Sequence, residues 1–245
     1  MKYVFISGVA GSCWGWPAWY LAAASDLVDP SGYRLDDPMG SKPWRINNAR
    51  DGLSLHTGLV FAGPYNEIGE QFDALSTYPN KEAIFGEIDR AYDDNDKHQI
   101  RFVQCHWFSY QLDWIAENLP EVDIIMSLRN VEMSFNMWHE SGGFDIEYPS
   151  YKWYGEDHRL WRQMHIEHKM MQNFVKKHKL KVIPGFDADW FDKQWPEVAP
   201  YVDKSKFVSK LGSAVSTATK PGLAIPVQSL NWTVYKGRNS TDVLL

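Results

Sequence analysis

Uninterrupted apolar runs recur along this chain and predict its strands. They occupy residues 2–7, 100–107 and 122–129, with weaker runs at 56–63 and, around Pro184, at 181–186. Runs of this length without regular polar alternation are typical of strands that are buried on both faces of a sheet. The chain is therefore expected to contain a sheet that is covered on its two sides.

Stretches with helical spacing alternate with these runs. They lie at about 14–25, 66–76, 81–92, 108–119, 130–140 and 156–180. Because strands alternate with helices, we predict an α/β fold with three layers, α/β/α, around a central, mostly parallel sheet. No internal repeat or clear linker divides the 245 residues, so a single domain over 1–245 is expected. Residues 26–55 predict a long loop, and a loose tail is expected from about Ser213.

The composition narrows the classes of function. The net charge is −6, whereas a general nucleic-acid binder is usually basic, so general nucleic-acid binding is not expected. No run reaches the length of a membrane-spanning helix, and glycines interrupt the apolar start that a secretion signal needs. The two cysteines, Cys13 and Cys105, suggest reduced thiols. We therefore expect a cytoplasmic protein without a membrane partner.

The turn after the first apolar run has the features of an anion-binding loop. Gly8 and Gly11 allow close backbone approach, Ser12 offers a hydroxyl, and the amides that open the next helix would point at an anion. Cys13 follows where a Walker A loop has its lysine, and the pattern is not G-x-G-x-x-G either. The alternative is a tight strand-to-helix turn whose glycines serve packing alone.

Two further strand ends carry polar side chains suited to chemistry. His106 closes the run at 100–107 and would act as a base near neutral pH; alternatively, a backbone carbonyl satisfies it. Arg129 and Ser134 follow the run at 122–129 and could hold a phosphate; alternatively, they form a surface ion pair and an ordinary helix serine. Because ligands bind at the carboxyl ends of strands in α/β sheets, these groups are expected to converge.

The order of these groups along the chain resembles that in the sulfotransferases that use 3′-phosphoadenosine 5′-phosphosulfate (PAPS). It consists of an anion loop, then a histidine, then an arginine with a serine, each at a strand end. The resemblance rests on "AGSCW", "VQCH" and "IIMSLRN" and covers about half of the chain in separate pieces. It implies the P-loop NTPase-like sulfotransferase fold and transfer of a sulfuryl group from PAPS to a small-molecule or glycan acceptor. It implies no metal.

The same resemblance assigns roles to individual residues. His106 would be the catalytic base. The nucleotide would be held by the loop, by a tryptophan that stacks on adenine, and by the ligands of the 3′-phosphate; these residues are Gly8, Gly11, Ser12, Cys13, Trp14, Arg129 and Ser134.

Four departures from the family pattern qualify this interpretation. The loop lysine of the family falls near Val9, and Lys42, Arg45, Lys236 and Arg238 are the candidate replacements by charge. The basic residue two positions before the histidine is Gln104. Arg129 and Ser134 lie about one helical turn closer than in the family, so the role of the serine is open to Ser127 or Asn136. The C-terminal basic loop has only "YKGRNS" (235–240) as a counterpart.

Other functions and sites remain as alternatives. Loss of the loop lysine favours a non-catalytic nucleotide-binding or scaffold protein, and a small-molecule kinase is less favoured because no G-K-[ST] is present. His158, His165 and His168 have metal-like spacing, but an amphipathic helix with exposed histidines is the preferred interpretation. A nucleophilic pair of Cys105 and His106 is excluded because neighbouring strand residues point to opposite faces.

Overall fold

The computed structural model describes residues 1–28, 59–62, 70–90, 92, 99–140, 155–206 and 230–240. Its strands are β1 (Lys2–Gly8), β2 (Leu59–Phe61), β3 (Ile100–Gln104), β4 (Val122–Ser127), β5 (Ile183–Pro184) and β6 (Asn231–Tyr235). Its α-helices are α1 (Trp16–Ala24), α2 (Lys81–Arg90), α3 (Phe108–Asn118), α4 (Val131–Glu140), α5 (Asp157–Lys177) and α6 (Trp190–Gln194). Short 3₁₀ helices occupy Glu70–Thr77, Ala199–Tyr201 and Lys204–Lys206.

The strands form one mixed sheet in the order β2-β3-β1-β4-β6-β5. The pairs β2–β3, β3–β1 and β1–β4 are parallel, whereas β6 runs antiparallel to both of its neighbours. Gly8 at the end of β1 is aligned with Ser127 at the end of β4, and Ile6 is aligned with Gln104 of β3. The carboxyl ends of β1, β3 and β4 therefore meet at one edge of the sheet.

Alternate residues of the central strands enter two hydrophobic clusters, one on each face of the sheet. Val4 and Ile6 of β1 pack with α1, α6 and the aromatic residues near Trp232. Phe5 of the same strand packs on the other face with α2, α3 and α5, in stacked contact with Phe108. This burial on both faces confirms the predicted α/β architecture and accounts for strands that are apolar throughout.

Two expectations about the sheet need correction. The loose tail expected from about Ser213 is not loose at its described end, because residues 231–235 form the interior strand β6 with four buried residues. The sheet is parallel only in its β2-β3-β1-β4 part, since β6 is inserted antiparallel between β4 and β5. Most of the loop predicted for 26–55 lies outside the described residues.

A buried ion-pair network joins the opposite edge of the sheet. The Lys2 ammonium lies 2.9 Å from the Asp123 carboxylate, and both side chains are fully buried. Lys236 also contacts Asp123 and Glu197, and the backbone N–H of Gly237 donates to Asp123 over 2.9 Å. Two lysines and two carboxylates thus balance in charge and fasten the turn after β6 to the first residues of β1 and β4.

No helix in the described part of the chain combines the length and the apolar character that crossing a membrane requires.

Removing the central carboxylate of this network should destabilise the fold strongly. Asp123→Ala leaves the buried Lys2 ammonium without its closest counter-charge, and such a loss typically costs about 3–5 kcal/mol. The free energy of unfolding from urea titrations followed by circular dichroism measures the effect. Asp113→Ala, which breaks an exposed pair with Lys177, is the matched control and should change stability little. Equal effects of the two substitutions would contradict the central role of the network.

Candidate functional site

The loop between β1 and α1 is a tight turn with two residues in the left-handed region. Gly11 has φ +70°, and Cys13 has φ +62°, which is uncommon for a residue with a side chain. The Ser12 N–H donates to the Val9 carbonyl oxygen over 3.1 Å and closes the turn. Ser12 therefore does not offer its amide to a ligand and has only its hydroxyl as a donor.

Both glycines of the loop are required by close packing. A Cβ on Gly8 would lie 2.7 Å from both Ser12 Oγ and Trp14 Cβ. A Cβ on Gly11 would overlap the Ser134 carbonyl oxygen and lie 2.9 Å from the Trp138 nitrogen. The loop thus rests directly on the backbone of α4, and both positions exclude any larger residue.

Side chains from the end of β4 hold the loop from one side. Arg129 Nη1 donates to the Gly11 carbonyl oxygen over 2.9 Å, and Ser127 Oγ donates to the Ser12 carbonyl oxygen over 2.9 Å. Arg129 Nη1 also lies 3.9 Å from Cys13 Sγ. Burial raises the pKa of the Cys13 thiol to about 12, an effect that the Arg129 charge opposes. The thiol is therefore neutral at physiological pH and is not an activated nucleophile.

Several hydrogen-bond donors of this site have no acceptor in the part of the chain that the structure describes. The backbone N–H groups of Ala10, Gly11 and Cys13 donate to no acceptor within the described residues. Ser12 Oγ and Arg129 Nε are buried, and neither has a hydrogen-bond partner in the described part of the chain. Because a buried unpaired polar group is costly, such a collection of donors needs an explanation. A phosphate or sulfate has the acceptor oxygens that would satisfy them.

His106 lies beside the loop but is covered by it. Its ring centroid is 4.6 Å from that of Trp14, and only 2% of its surface is exposed. Burial lowers the pKa of His106 to about 3, so the imidazole is neutral at physiological pH. Trp14, which the resemblance assigned to stacking on adenine, packs against this histidine.

The other expected site residues also lie at this edge of the sheet, with varied contacts. Ser134 is fully buried, and its hydroxyl donates to the Asn130 carbonyl oxygen of its own helix over 2.9 Å. Its backbone, not its side chain, approaches the loop at Gly11. Gln104 is buried at the end of β3, and its Oε1 has no partner in the described ranges. Cys105 enters the core of the opposite face, so it does not cooperate with His106.

The two candidate replacements for the missing lysine that the structure describes, Lys236 and Arg238, do not lie at the loop. Val9 is fully buried in the apolar core. Lys236 belongs to the ion-pair network at the opposite edge, and Arg238 follows it on the turn that is tied to Pro120. Lys42 and Arg45 lie outside the described residues. The segment "YKGRNS" is thus not the counterpart of the family's C-terminal basic loop, because β6 runs antiparallel and delivers it to the wrong edge.

Ser127 is the residue whose position at the loop was least expected. It was weighed only as a substitute for Ser134, yet its hydroxyl is the one that contacts the loop. Its place as the last residue of β4, aligned with Gly8, is the signal that could have identified it. Metal binding gains no support from the histidines of α5, since no cluster of three or more potential ligand side chains occurs among the described residues.

Comparisons of this chain with protein-family models, with curated proteins and with solved structures found no match.

Adding one methyl group at Gly11 should damage the fold. Gly11→Ala places a Cβ against the Ser134 carbonyl at a positive φ, so we expect a loss of about 2 kcal/mol or more in the free energy of unfolding. Gly86→Ala is the matched control, because a Cβ there meets nothing within 4 Å inside α2. That change should stabilise by about 0.5–1 kcal/mol. A neutral effect at Gly11 would contradict the close packing of the loop on α4.

The burial of His106 should make stability fall at acid pH. Since the folded pKa of about 3 lies below the ordinary value of 6.5, the neutral ring stabilises the fold fully above pH 6.5. That contribution is lost as the pH falls from 6.5 towards 3, by up to about 1.4 kcal/mol per pH unit. Urea unfolding of the wild type and of His106→Gln at pH 7, 5.5 and 4.5 measures it.

The difference between the two proteins isolates His106 from other titrating groups. Burial raises the pKa of Glu167 to about 8, so its contribution has the opposite sign and is lost as the pH rises from about 4.5 to 8. That contribution is common to the wild type and the variant. A stability difference that stays constant between pH 7 and 4.5 would show that His106 is not held neutral by burial.

Proposed function

We propose that this protein binds PAPS at the loop between β1 and α1 and transfers its sulfuryl group to a hydroxyl or amine of an acceptor. The observation that carries the proposal is a set of donors at the loop that have no acceptor among the described residues: the N–H groups of Ala10, Gly11 and Cys13, Ser12 Oγ and Arg129 Nε. They lie where the carboxyl ends of β1, β3 and β4 meet. Neighbouring strand ends on either side of β1 are the usual place for a ligand in an α/β sheet. The proposal includes the P-loop-like sulfotransferase fold.

The loop and β4 would bind the phosphate groups. Backbone donors of Gly11 and Cys13, together with Ser12 Oγ, suit the 5′-phosphosulfate because they are directed main-chain and hydroxyl donors. Arg129 would hold the 3′-phosphate through Nε while Nη1 keeps the loop in place. Ser134 would contribute only after its hydroxyl leaves the Asn130 carbonyl, so its assignment is the weakest in the set.

His106 would serve as the base of the transfer. The acceptor oxygen or nitrogen forms a bond to sulfur as the bond from sulfur to the phosphate oxygen breaks, and its proton passes to the neutral imidazole. The ring is in the required neutral form, but its low pKa and its cover by Trp14 make it a weak acceptor as it stands. Catalysis therefore requires Trp14 to move and the polarity around the ring to rise.

A second candidate, nucleotide binding without catalysis, is favoured by a specific observation. Val9 takes the place of the family's lysine and is a core residue, so no cation at this position can stabilise the departing phosphate. Lys236, one of the candidate substitutes, is engaged at the other edge. The loop could then hold adenosine 3′,5′-bisphosphate as a ligand without turnover.

Binding and turnover together separate these functions. We expect adenosine 3′,5′-bisphosphate to bind at least about tenfold more tightly than adenosine 5′-monophosphate by isothermal titration calorimetry, because only the former offers a phosphate to Arg129. We expect labelled PAPS to transfer sulfate to a member of a panel of phenols, sugars and amines. His106→Ala should reduce that turnover about 100-fold or more and leave nucleotide affinity within about threefold.

Glu117→Ala, at an exposed position near the end of α3 and away from the loop, is the control and should change neither quantity. Nucleotide binding without transfer to any acceptor would favour the second candidate over the first. Tighter binding of ATP–Mg²⁺ than of adenosine 3′,5′-bisphosphate, or no binding of either, would overturn both.

A further inference from the structure

A groove of about 470 Å³ opens beside the end of β4, and none of its lining residues belongs to the loop between β1 and α1. It lies between the last turns of α5, Val182 and the first residue of β6. Leu128 lines it and donates its N–H to the Asn231 carbonyl oxygen over 2.7 Å, which fixes this wall of the groove to the sheet. A volume of this size is typical of sites for small molecules.

The groove has an apolar wall and a cationic rim. Leu128, Val175, Leu180 and Val182 supply aliphatic surface, and Val182 is 39% exposed. Lys176 and Lys179 supply two ammonium groups, and neither has an acidic partner within the described ranges. By contrast Lys177, between them in sequence, pairs with Asp113. In a protein with a net charge of −6, two lysines on one apolar groove that lack an acidic partner in the described part of the chain provide a local site for an anion.

The conformation of Lys179 supports a role beyond ending the helix. Its N–H donates to the Lys176 carbonyl oxygen and the Leu180 N–H donates to the Val175 carbonyl oxygen, the pattern of a Schellman motif. Lys179 occupies the left-handed position of that motif, with φ 53°. Glycine is the residue that this position favours, so a lysine here costs stability that its backbone role does not require.

The polar end of the groove carries donors that complete an anion site. Gln172 and Asn231 also line the groove. His168 is linked to Gln172 by a 3.0 Å contact, and its buried Nδ1 has no partner among the residues that the structure describes. Burial, with a smaller effect of His165, lowers the pKa of His168, so this ring is neutral.

We propose that this groove is a binding site for an amphipathic organic anion, whose apolar body contacts Leu128, Leu180 and Val182 and whose carboxylate or sulfonate contacts Lys176 and Lys179. The alternative explanation is that Lys176 and Lys179 only complement the partial negative charge at the carboxyl end of α5. That explanation requires no ligand and no apolar wall beside the lysines.

A pair of dyes that differ in one charged group tests the proposal. The fluorescent sulfonate 1-anilinonaphthalene-8-sulfonate carries both parts of the proposed ligand, and N-phenyl-1-naphthylamine is the same ring system without the sulfonate. The double variant Lys176→Ala/Lys179→Gly should weaken binding of the sulfonate about tenfold and leave the neutral dye within about twofold. Val182→Glu should weaken both, because it places a carboxylate in the groove.

Lys169→Ala/Lys177→Ala is the matched control, with the same loss of charge on the same helix but outside the groove. It should leave sulfonate affinity unchanged. Lys179→Gly alone should raise the melting temperature by about 2 °C or more while it weakens the sulfonate, a combination that a merely structural lysine would not give. Equal sulfonate affinity in the wild type and the groove double variant, or an equal loss in the control, would overturn the proposal. Unchanged sulfonate binding in Val182→Glu would also overturn it.

Discussion

The hydrogen bond from Arg129 to the Gly11 carbonyl oxygen is the contact on which the candidate site depends. It crosses from the end of β4 to the loop after β1, and Ser127 adds a second bond of the same kind at Ser12. A peptide carbonyl and the N–H that follows it point in opposite directions. Directing these carbonyls at β4 therefore turns the Cys13 N–H away from β4 and leaves it without an acceptor among the described residues. Arg129 and Ser127 thus fix the shape of the loop together, and the bond from Ser127 sets the direction of the Cys13 N–H.

The two edges of the sheet differ in how fully their polar groups are paired. At the starting edge of β1 and β4, Lys2, Asp123, Lys236 and Glu197 satisfy one another, so this edge carries balanced charges and fastens the chain. At the carboxyl edge, polar atoms such as Ser12 Oγ and Gln104 Oε1 stay without partners in the described part of the chain. A satisfied polar network contributes to a single stable structure, whereas unsatisfied donors are costly unless a ligand uses them. This difference is the physical reason to look for function at the loop.

The sequence predicted those parts of the fold that depend on local pattern. β3 and β4 lie within the predicted apolar runs, β1 extends one residue beyond its run, and α3, α4 and α5 begin and end within a few residues of the predicted bounds. Strand β6 was missed because "NWTVY" is short and its partner β4 lies more than a hundred residues earlier. Because β6 runs antiparallel to β4, Lys236 lies at the opposite edge of the sheet, although its charge had made it a candidate for the loop. Pairing partners and strand direction are long-range properties that periodicity does not encode.

For the site residues too, the sequence predicted what depends on local pattern and missed what depends on long-range packing. Spacing after each strand placed Gly11, His106 and Arg129 at one edge, because parallel strands bring their carboxyl ends together. It did not show that Trp14 covers His106 or that the Ser134 hydroxyl is used within its own helix. Those contacts depend on side-chain packing between elements that are distant in sequence.

The burial of His106 links the two parts of the proposed function, nucleotide binding at the loop and proton transfer. An imidazole in an apolar setting is neutral because its charged form is not solvated, and the same setting makes it a poor proton acceptor. An anion bound at the loop would change this balance, since a nearby negative charge favours the imidazolium and raises the pKa of the histidine. The basicity of His106 would then depend on occupancy of the loop. In that case Trp14, which packs against the ring, would shield the base, and phosphates bound at the loop would make it effective.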